Sequence, residues 1–187
     1  MDKKVLSEIA LYHGTVEMPE GFDVDRKKLS ADILDSGAQK DTPTEDGVIY
    51  YREKDCLLPF SRQSDMLDIY LREKFLIDYK MIIELKTSFG NIFQPQEKSY
   101  LRNHVNPMDL KESPAFTMVY GVNVALDSCN IIIEYNNNNI KGLTCSLPLK
   151  ENDYLVFPSN LRYMVSTNQS YKTNCILTST YKYLGDQ

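Results

Sequence analysis

The chain has no tryptophan and only two histidines, His13 and His104, in 187 residues. That scarcity nearly excludes any centre built on two or three imidazoles, because catalytic zinc and non-haem iron both lean on histidine ligands. The four cysteines, Cys56, Cys129, Cys145 and Cys175, stand far apart with no CxxC pair, which removes zinc-ribbon and thioredoxin-like readings on spacing. Buried free thiols in a reducing compartment are expected instead. No apolar run approaches the ~20 residues a membrane helix needs, and the start Met1-Asp-Lys-Lys-Val-Leu-Ser-Glu8 lacks an apolar signal core. A soluble, unexported protein with no membrane partner is the expectation. Basic residues are outnumbered as well: 21 Lys and Arg against 26 Asp and Glu leave a net charge of −5. A binder of phosphate backbones usually carries a basic face, so nucleic acid is not expected as a partner. Gly-rich phosphate loops and G-x-S-x-G nucleophile elbows are absent, and no spacing singles out a thiol to pair with His104.

What the chain does have is tyrosine, thirteen of them, and many short β-branched runs, which together favour sheet. Its length suits one domain with a single core. Ile9 to Val16 reads as a strand, followed by a Pro-Gly turn at Met18 to Gly21. Asp23 to Leu34 places Val24, Leu29, Ile33 and Leu34 close to a 3.6-residue repeat and predicts a short amphipathic helix. Ser36 to Asp55 is polar and broken by Gly37, Pro43 and Gly47, a loop with a small strand at Val48 to Tyr51. Asp65 to Tyr79 is the strongest helix, with Leu67, Tyr70, Leu71, Phe75 and Ile77 as its apolar stripe and Ser61 or Ser64 as N-cap.

Beyond Met81 the texture changes to short apolar runs between turn residues: 81–85, 91–93, 116–124, 130–135, 142–147, 154–157, 163–166 and 175–183. Strands at such close spacing indicate a sandwich or barrel. Four asparagines, Asn136 to Asn139, tolerate left-handed backbone and signal a hairpin. The fold class is therefore α+β, mainly β. Residues 1–80 are expected to pack their strand, helices and loop on a β core spanning 81–187, as one integrated domain.

The order of four pieces carries a further signal: Ser88-Phe-Gly-Asn91, His104-Val-Asn-Pro107, Met118-Val-Tyr-Gly-Val-Asn123 and Leu155-Val-Phe-Pro-Ser-Asn-Leu161. Over about Met81 to Tyr183 this order resembles the double-stranded β-helix, or jelly roll, of the 2-oxoglutarate/Fe(II)-dependent oxygenase superfamily. The likeness is greatest to oxygenase-like proteins encoded by tailed bacteriophages. There a Ser-Trp-x-Asn strand leads to an iron-binding His-x-His or His-x-Asp followed by Pro, and a Phe-Pro-Ser-Trp-Leu-x-His stretch supplies the last histidine.

The resemblance implies a cupin-like jelly roll with N-terminal helices packed on it, and it implies where a metal would be held. His104 takes the first ligand position, Asn106 falls where the carboxylate or second histidine belongs, and Tyr163 falls where the last histidine belongs. An amide brings no charge, and a phenol with a pKa near 10 is a poor Fe(II) ligand, so the triad is degenerate and no catalytic residue or metal is assigned. Three readings stand side by side. The first is a non-catalytic structural or interaction protein without cofactor, a component of a phage virion or its assembly, located in the virion or host cytoplasm and partnered by other protein subunits as an oligomer. The second is an active dioxygenase using Fe(II) and 2-oxoglutarate, with Asp109, Glu112 or His13 as substitute ligands and Lys172 or Arg162 meeting the 2-oxoglutarate carboxylate. The third is a cupin-like small-ligand binder with Tyr100, Tyr120, Tyr135 and Tyr163 as platforms.

Overall fold

The computed structural model describes residues 9–19, 23–35, 61–136 and 142–186. Within them β1 (Tyr12–Thr15), α1 (Arg26–Asp35) and α2 (Arg62–Tyr79) precede seven strands: β2 (Met81–Phe93), β3 (Phe116–Asn123), β4 (Asn130–Asn136), β5 (Gly142–Pro148), β6 (Asp153–Pro158), β7 (Arg162–Val165) and β8 (Asn174–Asp186). The strand predicted at Val48 to Tyr51, Cys56 and the loop 36–55 lie outside the described residues.

The strands form two antiparallel sheets. The major sheet has the order β1-β6-β3-β8-β2 and the minor sheet β5-β4-β7. From β5 onward the chain alternates between the two sheets, β5 and β7 lying in the minor one and β6 and β8 in the major one, as in a jelly roll. The asparagine hairpin is present, since β4 and β5 pair from Asn136↔Gly142 to Asn130↔Pro148. One expectation needs correction. The runs 81–85 and 91–93 are one long strand, with register shifts at Ile82/Ile83 and Leu85/Thr87 as β2 follows β8 along its length. From the N-terminal part, β1 pairs with β6 at the edge of the major sheet.

Strand residues alternate between two faces, and here each face of the major sheet has its own core. Met118, Tyr120, Val156, Cys175, Leu177 and Tyr181 point to the helices, meeting Leu29, Ile33, Leu67, Leu71 and Phe75. Val119, Leu155, Phe157 and Ile176 point into the roll, meeting Ile131, Ile133, Tyr163 and Val165 of the minor sheet. Cys129 and Cys175 are buried and unpaired, whereas Cys145 is only half-buried.

The helices are fixed by polar ends and apolar faces. Ser61 caps α2 by accepting the Ser64 N–H at 3.3 Å and donates its hydroxyl to Asp32 of α1 at 2.7 Å. Leu67, Leu71 and Phe75 are buried as the periodicity requires, but Ile77 is 67% exposed and lies off the stripe. Gly90 gives α1 its close approach. A Cβ there would stand 2.2 Å from Cγ2 of Ile33.

Candidate functional site

Polar side chains converge on Tyr163, which is itself buried in the core of the roll. Residues 99–104 run antiparallel to β7, with the Arg102 N–H donating to the Tyr163 carbonyl at 2.9 Å and the Tyr163 N–H to the Arg102 carbonyl at 2.8 Å. The Ser99 N–H reaches the Val165 carbonyl, and the His104 N–H reaches the Ser159 carbonyl. This added strand aligns Arg102, His104 and Tyr163. Because side chains alternate along an extended segment, Arg102 and His104 turn to the same side while Asn103 between them is exposed.

Three side chains of this set are linked. Arg102 Nε donates to Tyr163 Oη at 3.2 Å, and His104 Nε2 lies 3.0 Å from the same oxygen. A guanidinium can only donate, so the phenol oxygen accepts from Arg102 while it shares a second hydrogen bond with His104 Nε2. Burial, reinforced by the neighbouring Arg102 charge, pushes the His104 pKa down to about 4 and keeps it neutral. The other guanidinium arm reaches Asn91 Oδ1 on β2 at 3.4 Å, and Asn91 contacts Thr178 of β8 at 3.5 Å.

Aromatic rings frame the charge. The guanidinium carbon stands 5.5 Å from the Phe89 ring centre and 5.2 Å from that of Tyr163, within cation–π range. Phe157 meets Tyr163 edge-on at 5.0 Å. Around them Thr87 bonds Thr180 at 2.6 Å and Thr117 bonds Ser159 at 2.8 Å, which settles the polar groups of the inner wall.

His104 and Tyr163 thus meet as the sequence suggests, but Asn106 does not join them. It is exposed, and its carboxamide oxygen accepts the Met108 N–H in a local turn. Asp109 is exposed as well and caps the Glu112 N–H at 3.2 Å. Glu112 is drawn away by Lys182, 2.6 Å distant, which holds its carboxyl below the usual range, and Lys86 donates to the Glu112 carbonyl. His13 is exposed on β1, opposite Leu155. Lys172 is exposed in the β7–β8 connection, and Arg162 is exposed and spent on Glu134, 2.6 Å away on β4. The tyrosine platform does not assemble either: Tyr120 is buried in the helix-side core and Tyr163 in the roll.

Sequence reasoning missed Arg102. The available signal was its two-residue spacing from His104, which puts both on one face of any extended segment.

A divalent metal does not fit these residues. Among the described residues no three His, Cys, Asp or Glu side chains cluster so as to hold an ion. The one imidazole nitrogen that faces the centre is committed to Tyr163. The fixed charge of Arg102 also works against a second cation: a doubly charged ion about 5 Å away would meet roughly 7 kcal/mol of repulsion at an effective dielectric constant of about 20.

No family model matches the chain, and no curated protein matches it in sequence. Its structure, in contrast, resembles several solved ones. The α-ketoglutarate-dependent carbocyclase SnoK from nogalamycin biosynthesis superposes with a TM-score of 0.69 at 9% identity, covering 93% of this chain and 79% of that one. AviO1 from Streptomyces viridochromogenes gives 0.61 at 12% identity, covering 96% and 92%. A Pseudomonas putida prolyl-4-hydroxylase gives 0.55 at 12% identity, covering 95% and 88%. At these identities the likeness speaks for the fold alone, so the chain has the double-stranded β-helix fold on which 2-oxoglutarate/Fe(II) oxygenases are built.

Proposed function

We propose that this chain is a non-catalytic double-stranded β-helix protein that acts as a structural or interaction module, bound to other protein subunits and needing neither metal nor 2-oxoglutarate. The observation that carries the reading is Arg102. A guanidinium bonded to Tyr163 and Asn91 and flanked by Phe89 brings a permanent positive charge to the polar groups around Tyr163. The 2-oxoglutarate side of the pocket points the same way. The inward residues of β8 alternate from Ile176 through Thr178 and Thr180, and the first cation on the strand, Lys182, is paired with Glu112. Among the described residues, the inward positions of β8 from Ile176 to Thr180 offer a carboxylate co-substrate no basic side chain.

The setting in a tailed-phage particle or its assembly rests on the likeness of the four sequence pieces to phage-encoded oxygenase-like proteins. Among the described residues no helix is long and apolar enough to cross a membrane. Anaerobic titration of the purified protein with Fe(II) and 2-oxoglutarate tests the absence of chemistry, and sedimentation of the same sample tests assembly. The expected outcome is no metal-to-ligand absorbance, no 2-oxoglutarate turnover, and a species heavier than the 21.6 kDa chain. Turnover that disappears in His104→Ala would establish the dioxygenase reading instead.

A further inference from the structure

We infer that Arg102 is a built-in cation of this roll, and that the three positions whose side chains converge inside it are 102, 104 and 163. The inference rests on the metal-free reading above and specifies how the site became so. Residues directly opposite in an antiparallel pair project to one side, and Arg102 and Tyr163 exchange both of their backbone hydrogen bonds. His104, two residues along, joins them through the Tyr163 hydroxyl at 3.0 Å. Asn106, a further two residues along, has left the strand for the turn that Met108 and Ser113 close. A His-x-Asp…His set drawn on this backbone therefore belongs at 102, 104 and 163 and not at 104, 106 and 163.

In the native chain position 102 contributes no ligand. It contributes a side chain long enough to carry its own charge to the centre, where Tyr163 Oη and Asn91 Oδ1 accept from it as neutral donors would surround a bound ion. The cation is covalently part of the chain, so it can be neither lost to a chelator nor exchanged.

Two redesigned full-length chains separate the two sets of positions, with Co(II) alone as the probe. The chain carrying Arg102→His, His104→Asp and Tyr163→His is expected to bind Co(II) at least tenfold more tightly than the native protein, with visible ligand-field bands. The chain carrying Asn106→Asp and Tyr163→His, which keeps His104, is expected to bind no better than the native one. Tighter binding by the second chain, or no gain in either, overturns the assignment. Should the triple variant stay unfolded with and without Co(II), thermal melting of single variants decides. Arg102→Lys is expected to keep at least half of the melting temperature that Arg102→Met loses, and equal losses would mean that the charge at this position is immaterial. Co(II) binding by the native protein that His104→Ala abolishes would remove the metal-free reading itself, an outcome distinct from any failure in the variants.

Discussion

Tyr163→Phe removes a single oxygen from the centre of the roll and should be felt out of proportion to its size. The ring survives and keeps its edge-on contact with Phe157 at 5.0 Å, so the apolar term is nearly unchanged. Two polar partners each lose one hydrogen bond. Arg102 loses an acceptor 3.2 Å away, and hydrogen bonds to charged groups are worth roughly 1.5–3 kcal/mol. His104 loses the hydroxyl that its Nε2 meets at 3.0 Å, about 1 kcal/mol more for a neutral pair. The sum is about 3 kcal/mol. A chain of this length loses roughly 2–4 °C of melting temperature per kcal/mol, so a fall of about 6–12 °C is expected. Urea unfolding at pH 7 reads the free energy, and calorimetry reads the midpoint. A loss below about 1 kcal/mol with an unchanged denaturant slope would refute the linked arrangement of Arg102, Tyr163 and His104. A double-mutant cycle with Arg102→Met should return a coupling near or above 1 kcal/mol, since residues of one hydrogen-bond network do not add independently.

Acid should weaken the fold through His104. Its folded pKa, about 4, lies below the ordinary 6.5, so between those values the unfolded chain binds the extra proton and stability falls as pH drops from about 6.5 to about 4, by on the order of 3 kcal/mol. Asp68, whose carboxyl is raised by burial, works in the opposite sense at the acid end, so His104→Gln, followed by denaturation across pH 4 to 7, should flatten the profile specifically in the histidine window. Gly90→Ala drives a methyl into Ile33 and should cost about 1–3 kcal/mol by overpacking, with Ile33→Ala restoring part of the loss in the double variant; independent, additive losses would contradict the contact. Arg162→Ala breaks only an exposed ion pair with Glu134 and should change stability by less than about 1 kcal/mol, and Lys172→Ala should leave oligomeric state and melting temperature unaltered.

Much of the architecture was legible because it is local. Short apolar runs between turn residues marked the strands from Phe116 onward, the run of asparagines marked the β4–β5 connection, and Leu67, Leu71 and Phe75 marked the buried side of α2. The site was less legible because it depends on register. His104 and Tyr163 could be picked out as single residues, but whether position 102 or 106 joins them is decided by which backbone groups pair across sixty residues of chain, information that no local pattern holds. Strand alternation splits the first sequence piece between the two faces of β2. Ser88 and Phe89 are adjacent in the motif, yet Ser88 bonds Ser179 while Phe89 stacks on Arg102 and His104.

The major sheet is a wall with an independent core on either side. Neighbouring residues, Met118 and Val119, Leu155 and Val156, Ile176 and Leu177, report to different cores. A substitution among Phe89, Arg102, His104 and Tyr163 is therefore paid for on one side only, while α1 and α2 go on clamping the other. Such a partition lets side chains inside the roll change while the helix-side core keeps the fold standing.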